Sequence, residues 1–283
     1  MKVLRSVAGL ACLFIFLFSL QANVSSCKKT KVEVDTVTIH IKDTVTIKDT
    51  SYNLKDGLIA YYNFNGGTLN DSSGNGNTII LNNNAVKTAD RYGRANNAYL
   101  FNGTDSYMKV TNSNSLNSVT NQISIMATIK INGFYSANCV QNQIVGKGWN
   151  DFINGFYALR FYSTVGCQNT VDTSKEVFNG SYGDLNTRAH DYDTTYIHSN
   201  IWYNVVYTSS YGQSKMYING VLKSVSNEAF SSISFTPNNQ EMYIGKHGDP
   251  QYPFSFNGII DEIRIYNKVL PPRAVKQLYD TKQ

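Results

Sequence analysis

The chain has 283 residues, of which 13% are aromatic and only 16% charged, and its formal net charge is +5. Eight of the basic and four of the acidic residues precede Asp56, leaving 17 basic against 16 acidic residues, or +1, for the remainder. That balance excludes a basic face for nucleic acid and an acidic tail for a cationic partner. The abundance of Tyr, Asn, Ser, Thr and Gly suits an all-β extracellular domain with one sizeable core.

The chain opens with a positive start, Lys2 and Arg5, and an apolar run, Val7 to Leu20 (VAGLACLFIFLFSL). The run is too short to span a bilayer comfortably, which takes about 20 apolar residues. Residues 1–26 therefore read as a secretory signal peptide. Val24-Ser25-Ser26-Cys27 resembles the bacterial lipobox, where cleavage precedes the cysteine and its thiol carries a diacylglycerol. The resemblance implies lipid attachment at Cys27. It also implies residence in the bacterial cell envelope, on the periplasmic side of the outer membrane or at the cell surface. An ordinary signal peptide beside a stray cysteine and an uncleaved anchor are the other readings. The chain has four cysteines. With Cys12 in the signal peptide and Cys27 lipidated, Cys139 and Cys167 remain in an oxidising compartment, where a disulfide between them is expected. Two free buried thiols are the alternative.

Residues 27–55 contain a repeat, Asp35-Thr-Val-Thr-Ile and Asp43-Thr-Val-Thr-Ile, with Val37, Ile39, Ile41, Val45 and Ile47 all at odd positions. That is strand periodicity. Free of Gly and Pro and rich in β-branched residues, the segment reads as an extended stalk, or as an extra strand packed on the domain or on a second copy. The domain itself is expected over residues 56–283.

Within it, strand signals recur between turn signals. GLIAYYNF (57–64) reads as a strand, LNDSSGNGN (69–77) as a polar loop, and AYLFNGTDSYMKV (98–110) as a hairpin around Asn102-Gly103. ISIMATIKI (123–131) alternates, with Ile123, Ile125, Ala127, Ile129 and Ile131 on one face. FYALRFY (156–162) and IWYNVVYTS (201–209) follow, separated by an insertion of about residues 163–200. In KMYINGVLKSV (215–225), Asn219-Gly220 between apolar runs predicts a type I′ hairpin, whose central residues both take positive φ. EMYIG (241–245) and NGIIDEIRIY (257–266) are strands; LPPRAVKQLYD (270–280) is a helix with Val275, Leu278 and Tyr279 on one stripe behind a proline start. Many short strands and one terminal helix predict a two-sheet antiparallel β-sandwich.

Four blocks carry a resemblance in order: GLIAYYNFNGGTLNDSSGNGN, LFNGTDSYMKV, MYINGVLKSV and FNGIIDEIRIYNKVLPPRAVKQLY. They are similar to successive segments of a laminin-G-like, concanavalin A-like jelly-roll domain and cover most of Gly57 to Tyr279. The resemblance implies two curved sheets packed face to face. It also implies a class of function, since the family includes carbohydrate-binding lectins, glycanase accessory domains and adhesion modules. Fold alone settles no ligand.

The related laminarinase-type glucanases carry E-x-D-x-E on one strand face, and no such motif occurs here. On regular alternation, Asp261 and Glu262 would point to opposite sides of their strand and form no same-face pair. GxSxG, HExxH and P-loop motifs are also missing, so the chain reads as a non-enzyme, with a polysaccharide-active enzyme the least favoured class. The expected partner is a glycan or polysaccharide; an adhesion or assembly module that binds protein is the alternative. Sugar binding needs a flat aromatic under the ring and polar groups for its hydroxyls. Trp149, among Gly, Asn and Asp, and Tyr182, Tyr192 and Asp191 in the insertion are the candidates, while Trp202, opening a strand, reads as core. His190, Asp191, Asp193 and His198 are close in sequence but match no standard metal spacing. The resemblance makes Ca²⁺ the plausible cofactor, at Asp71 in its Gly/Asn loop or at Asp261, which regular alternation puts on the face of Ile259, Ile263 and Ile265. An Asx turn is the alternative for Asp71, and backbone N–H partners for Asp261.

Overall fold

The computed structural model describes residues 51–134, 141–148, 152–163, 176–185, 189–192, 196–210, 212–227 and 234–281. Cys27, Cys139, Cys167 and Trp149 lie outside these residues. In chain order the first strands are β1 (Leu58–Tyr62), β2 (Ile79–Asn83), β3 (Val86–Thr88), β4 (Ala98–Asn102) and β5 (Tyr107–Val110). They are followed by β6 (Gln122–Gly133), β7 (Gln141–Lys147), β8 (Phe156–Ser163), β9 (Glu176–Gly183) and β10 (Ala189–Tyr192). The last are β11 (Trp202–Ser210), β12 (Gln213–Ile218), β13 (Val221–Asn227), β14 (Met242–Ile244) and β15 (Asn257–Tyr266), before the helix α1 (Pro272–Asp280).

The strands build two antiparallel sheets. One runs β13-β12-β11-β6-β15-β4-β3, with β1 also on β15; the other runs β10-β9-β8-β7-β14-β5-β2. β15 is shared lengthwise, pairing with β4 through Asn257–Ile260 and with β1 through Ile263–Tyr266. Ile123, Ile125, Ala127, Ile129 and Ile131 face the core between the sheets, as their alternation predicts. The opposite face of the same sheet is also covered: Met126, Val206, Tyr217 and Tyr266 pack under Leu270, Ala274, Val275 and Leu278 of the helical segment. Removing both faces of β6 from water explains why it is buried almost end to end. Pro272 occupies the first turn of α1, where its missing N–H costs nothing.

The Asn219-Gly220 turn closes β12 onto β13 with φ of 52° and 75°, as the sequence predicts. The other predicted hairpin is not one. β4 pairs with β15 and β3, whereas β5 pairs with β14 and β2, so the Asn102-Gly103 turn carries the chain from one sheet to the other. Buried Phe101 and Met108 approach the same core from opposite sides. Asn102 Oδ1 holds that turn by accepting from the N–H groups of Thr104, Asp105 and Ser106.

The insertion is also not a free loop. β9 within it pairs with β8 through eight residues, from Phe156↔Gly183 to Ser163↔Glu176. Its strand signal is weakened by Gly180, yet a side chain there has no room, because a Cβ would lie 2.1 Å from the Tyr207 ring. At the other end, Tyr52 and Leu54, which the sequence assigns to the stalk, pack against the cluster under α1. Tyr52 and Gln277 exchange two hydrogen bonds, Tyr52 N–H to Oε1 at 2.7 Å and Nε2 to the Tyr52 carbonyl at 3.1 Å.

Candidate functional site

α1 covers only part of the outer face of its sheet. Beyond its C-terminal end an open cleft of about 410 Å³ remains, within the range of roughly 300–1,000 Å³ common to small-molecule sites. Trp202 and Tyr203 line it from β11, Tyr279 and Asp280 from the end of α1, and Arg91 and Tyr92 from the loop between β3 and β4. Thr128, Asn204 and Asn219 complete it. The strand register sets the floor, since Asn204 pairs with Thr128 and Trp202 with Lys130, two residues apart on one sheet face.

Each wall has a local cause. Asp90 organises the β3–β4 loop: Oδ1 accepts from the N–H groups of Tyr92 and Arg94 at 2.8 and 2.9 Å, and Oδ2 accepts from Arg94 Nε at 2.5 Å. Burial alone would raise the Asp90 carboxyl, but these donors outweigh it and hold it below its ordinary value. The guanidinium carbons of Arg91 and Arg94 lie 4.9 and 5.3 Å from the Tyr92 ring centre. Arg91 also donates to Thr128 Oγ1 at 3.3 Å and to the Thr281 carbonyl at 3.2 Å, joining this loop to β6 and the chain after α1. Tyr92 and Tyr279 are each 41% exposed, which leaves ring surface for a ligand. Tyr279 is thus off the buried stripe assigned to it; Ala274 takes its place.

Among the described residues, none of the sugar- or metal-binding candidates chosen from the sequence lines this cleft, and Trp202, read as core, is part of it. Tyr182 is fully buried, stacks on Phe235 with ring centres 6.0 Å apart, and donates its hydroxyl to the Thr120 carbonyl. A ring enclosed between two sheets cannot support a sugar. Asp191 lies opposite Gly180 and is 3% exposed, with Oδ1 accepting from Ser224 Oγ at 2.8 Å, so it ties β10 to β13. Tyr192 lies on β10 opposite Asn179, and its side chain is outside the described residues. Trp149 and the Cys139–Cys167 pair are outside them altogether. Among the described residues no three His, Cys, Asp or Glu cluster as metal ligands would.

The two calcium candidates do not fit a cation. Asp71 Oδ1 accepts from the N–H groups of Tyr61 and Ser73, both at 2.9 Å; Oδ2 accepts from Ser73 Oγ at 2.7 Å and Asn77 N–H at 2.9 Å. Four donors occupy the carboxylate, and the Asn77 amide takes the nearby Ile59 carbonyl at 2.7 Å. This is an Asx turn extended into a loop scaffold. Asp71→Asn would turn an N–H₂ toward donors and is expected to cost about 1–3 kcal/mol. Thermal melts should show the same loss in excess Ca²⁺ and in EDTA; a loss present in Ca²⁺ and absent in EDTA would restore the cation.

Asp261 departs from regular alternation. The β15–β6 register shifts between Ile260 and Glu262, so Ile260, Ile263 and Ile265 reach the core while Ile259 does not. The bulge turns Asp261 outward, where it and Glu262 border one small cavity of about 10 Å³ with Asn63, Arg91 and Arg94. Regular alternation therefore fails to separate these two carboxyls. Even so, the cavity holds about one water and no sugar ring, and Glu262 is bound to Arg264 Nε at 2.6 Å. Burial outweighs the Arg91 charge, 3.7 Å from Asp261, and with Glu262 and Asp90 nearby pushes the Asp261 carboxyl up to about 7. A folded-state value above the unfolded 3.8 means stability fully present below about pH 4 and lost as pH rises through 7. Asp261→Asn should flatten that fall in unfolding free energy between pH 4 and 7; parallel urea-unfolding profiles in the two proteins would contradict it.

A family model described as the concanavalin A-like lectin/glucanases superfamily matches residues 102–276. The chain belongs to this superfamily. No curated protein matches the sequence. Among solved structures, this lectin/glucanase-type sandwich is similar to domain 4 of AbnA, a GH43 extracellular arabinanase from Geobacillus stearothermophilus, in complex with arabinotriose. The TM-score is 0.57 at 22% identity, over 79% of this chain and 98% of that one. It is also similar to the binding domain of Paraclostridial Mosquitocidal Protein 1, with TM-score 0.59, 18% identity and coverage of 81% and 53%. The receptor-binding domain of botulinum neurotoxin mosaic serotype C/D gives TM-score 0.58, 18% identity and coverage of 81% and 51%. The chain thus spans about half of each toxin domain. At these identities the likeness is one of fold.

Proposed function

We propose that this chain is a non-catalytic glycan-binding module, carried on a lipid-anchored protein of the bacterial envelope. The observation that carries the reading is the cleft beyond α1, in which Trp202, Tyr92 and Tyr279 stand around a floor holding the amides of Asn204 and Asn219. Aromatic faces suit the C–H side of a sugar ring, and side-chain amides suit its hydroxyls. The arabinotriose bound by the arabinanase domain is consistent with a sugar ligand on this fold.

A glycan array probed with the full-length protein, with Ca²⁺ and again with EDTA, tests this. A specific signal in both conditions is the expected result. Silence from folded protein would contradict it and favour a protein-binding adhesion or assembly role. Turnover of any bound polysaccharide would contradict the non-catalytic part. The anchor follows from the Val24-Ser25-Ser26-Cys27 motif. Cys27→Ala is expected to move the protein from the membrane to the soluble fraction; unchanged membrane association would refute lipidation.

A further inference from the structure

The helical wall of the cleft is a last turn that needs support. α1 has nine residues and buries only Ala274, Val275 and Leu278, so Tyr279 and Asp280, which line the cleft, lie beyond its last buried side chain. The last carbonyls of a helix have no partner within it, and helix ends fray unless something holds them. Two sets of contacts hold this one, and both meet at Gln277. Thr281 donates to the Gln277 carbonyl through its N–H at 2.9 Å and its Oγ1 at 2.7 Å, while its own carbonyl accepts from Arg91 at 3.2 Å. The Gln277 side-chain amide takes both backbone groups of Tyr52, Oε1 accepting at 2.7 Å and Nε2 donating at 3.1 Å. Tyr52 and Leu54 also pack against the apolar cluster under α1, and the Arg273 guanidinium lies 5.5 Å over the Tyr52 ring. Neither Tyr52 nor Gln277 lines the cleft.

We infer that Gln277 is a positioning residue of the cleft, and that the chain arriving through Tyr52 is the clasp that holds the helical wall in place. The inference rests on the glycan reading above. An amide that engages the N–H and the carbonyl of one residue fixes orientation as well as distance, which a single bond does not. With the clasp closed, the turn bearing Tyr279 and Asp280 is ordered before a ligand arrives. With it open, the ligand must order that turn itself, at a cost in affinity. The sugar-binding unit therefore starts ahead of Asp56, the boundary expected from the sequence.

Two readouts on the full-length Trp149→Phe protein test the inference, one of them independent of any glycan. Trp202 is then the only indole, and it lines the cleft together with Tyr279. Gln277→Met keeps the length of the side chain and removes both bonds to Tyr52. Without ligand, it is expected to raise the quenching of Trp202 emission by acrylamide. It should also weaken calorimetric affinity for an array-positive oligosaccharide by about three- to tenfold. Asp71→Asn is the control for lost stability, since the Asp71 carboxylate is bound to residues 61, 73 and 77, and it should move neither readout. If Gln277→Met does not fold, Thr281→Val at an exposed position removes the Oγ1 bond to the Gln277 carbonyl and should move both readouts the same way. Unchanged affinity in folded Gln277→Met, or an equal loss in Asp71→Asn, would overturn the inference and leave the glycan reading standing. Raised quenching in Gln277→Met with no oligosaccharide bound by its parent would support the clasp and overturn the reading that places a glycan in this cleft.

Discussion

Replacing Glu262 with alanine is expected to destabilise the fold by about 3–5 kcal/mol, a large part of the roughly 5–15 kcal/mol that holds a domain together. Glu262 and Arg264 sit two residues apart on β15, on the same face, and are 3% and 5% exposed. Arg264 Nε donates to Glu262 Oε1 at 2.6 Å, and the guanidinium lies 4.0 Å over the Tyr61 ring of β1. Alanine would leave that cation buried beside an aromatic face with no counter-charge. The cost is that of orphaning a buried charge, and it is not the net worth of the pair. Glu262→Leu combined with Arg264→Met should therefore recover most of the loss. Denaturant unfolding measures all three proteins. A single variant within about 0.5 kcal/mol of the parent would show that water reaches the pair and contradict the buried-charge account.

Trp202→Ala is expected to weaken glycan binding by about 30-fold or more, the loss typical of a central aromatic anchor. Trp202 is half-buried, so part of its ring belongs to the structure and part to the cleft. Stability should fall too, but by less than a fully buried Trp→Ala would cost. Trp202→Phe separates the two effects by keeping a flat ring, and should retain measurable binding. Trp149→Ala is the control. If it removes binding and Trp202→Ala does not, the site belongs to the segment around Trp149.

The architecture was legible because its signals are local. The alternation in ISIMATIKI, the Asn219-Gly220 turn and the proline-led helix each follow from short-range physical chemistry. Errors arose where partners distant in sequence decide. Nothing between Asn102 and Tyr107 says that the two strands enter different sheets; this follows from which strands β4 and β5 meet. β9 reads poorly because Gly180 makes room for Tyr207 on the opposite sheet. The bulge at Asp261 inverts the expected faces of β15 by a single residue, and period-two reasoning cannot detect it. The cleft was the least legible part. It draws on residues 91–92, 128, 202–204, 219 and 279–280, no two groups of which are neighbours in sequence. One signal was available: Asp90-Arg-Tyr-Gly-Arg94 is a turn sequence dense in side chains that bind, and its acid proves to be the anchor of one wall.

The central claim is that a glycan occupies the cleft beyond α1 and lies against Trp202. The chain has two tryptophans, so Trp149→Phe leaves Trp202 as the sole indole. A fluorescence titration of that protein with an array-positive oligosaccharide tests the claim most directly. The account predicts a saturable change in Trp202 emission at the concentrations where calorimetry detects binding. Heat of binding with no change in emission would place the sugar elsewhere on the molecule and contradict it.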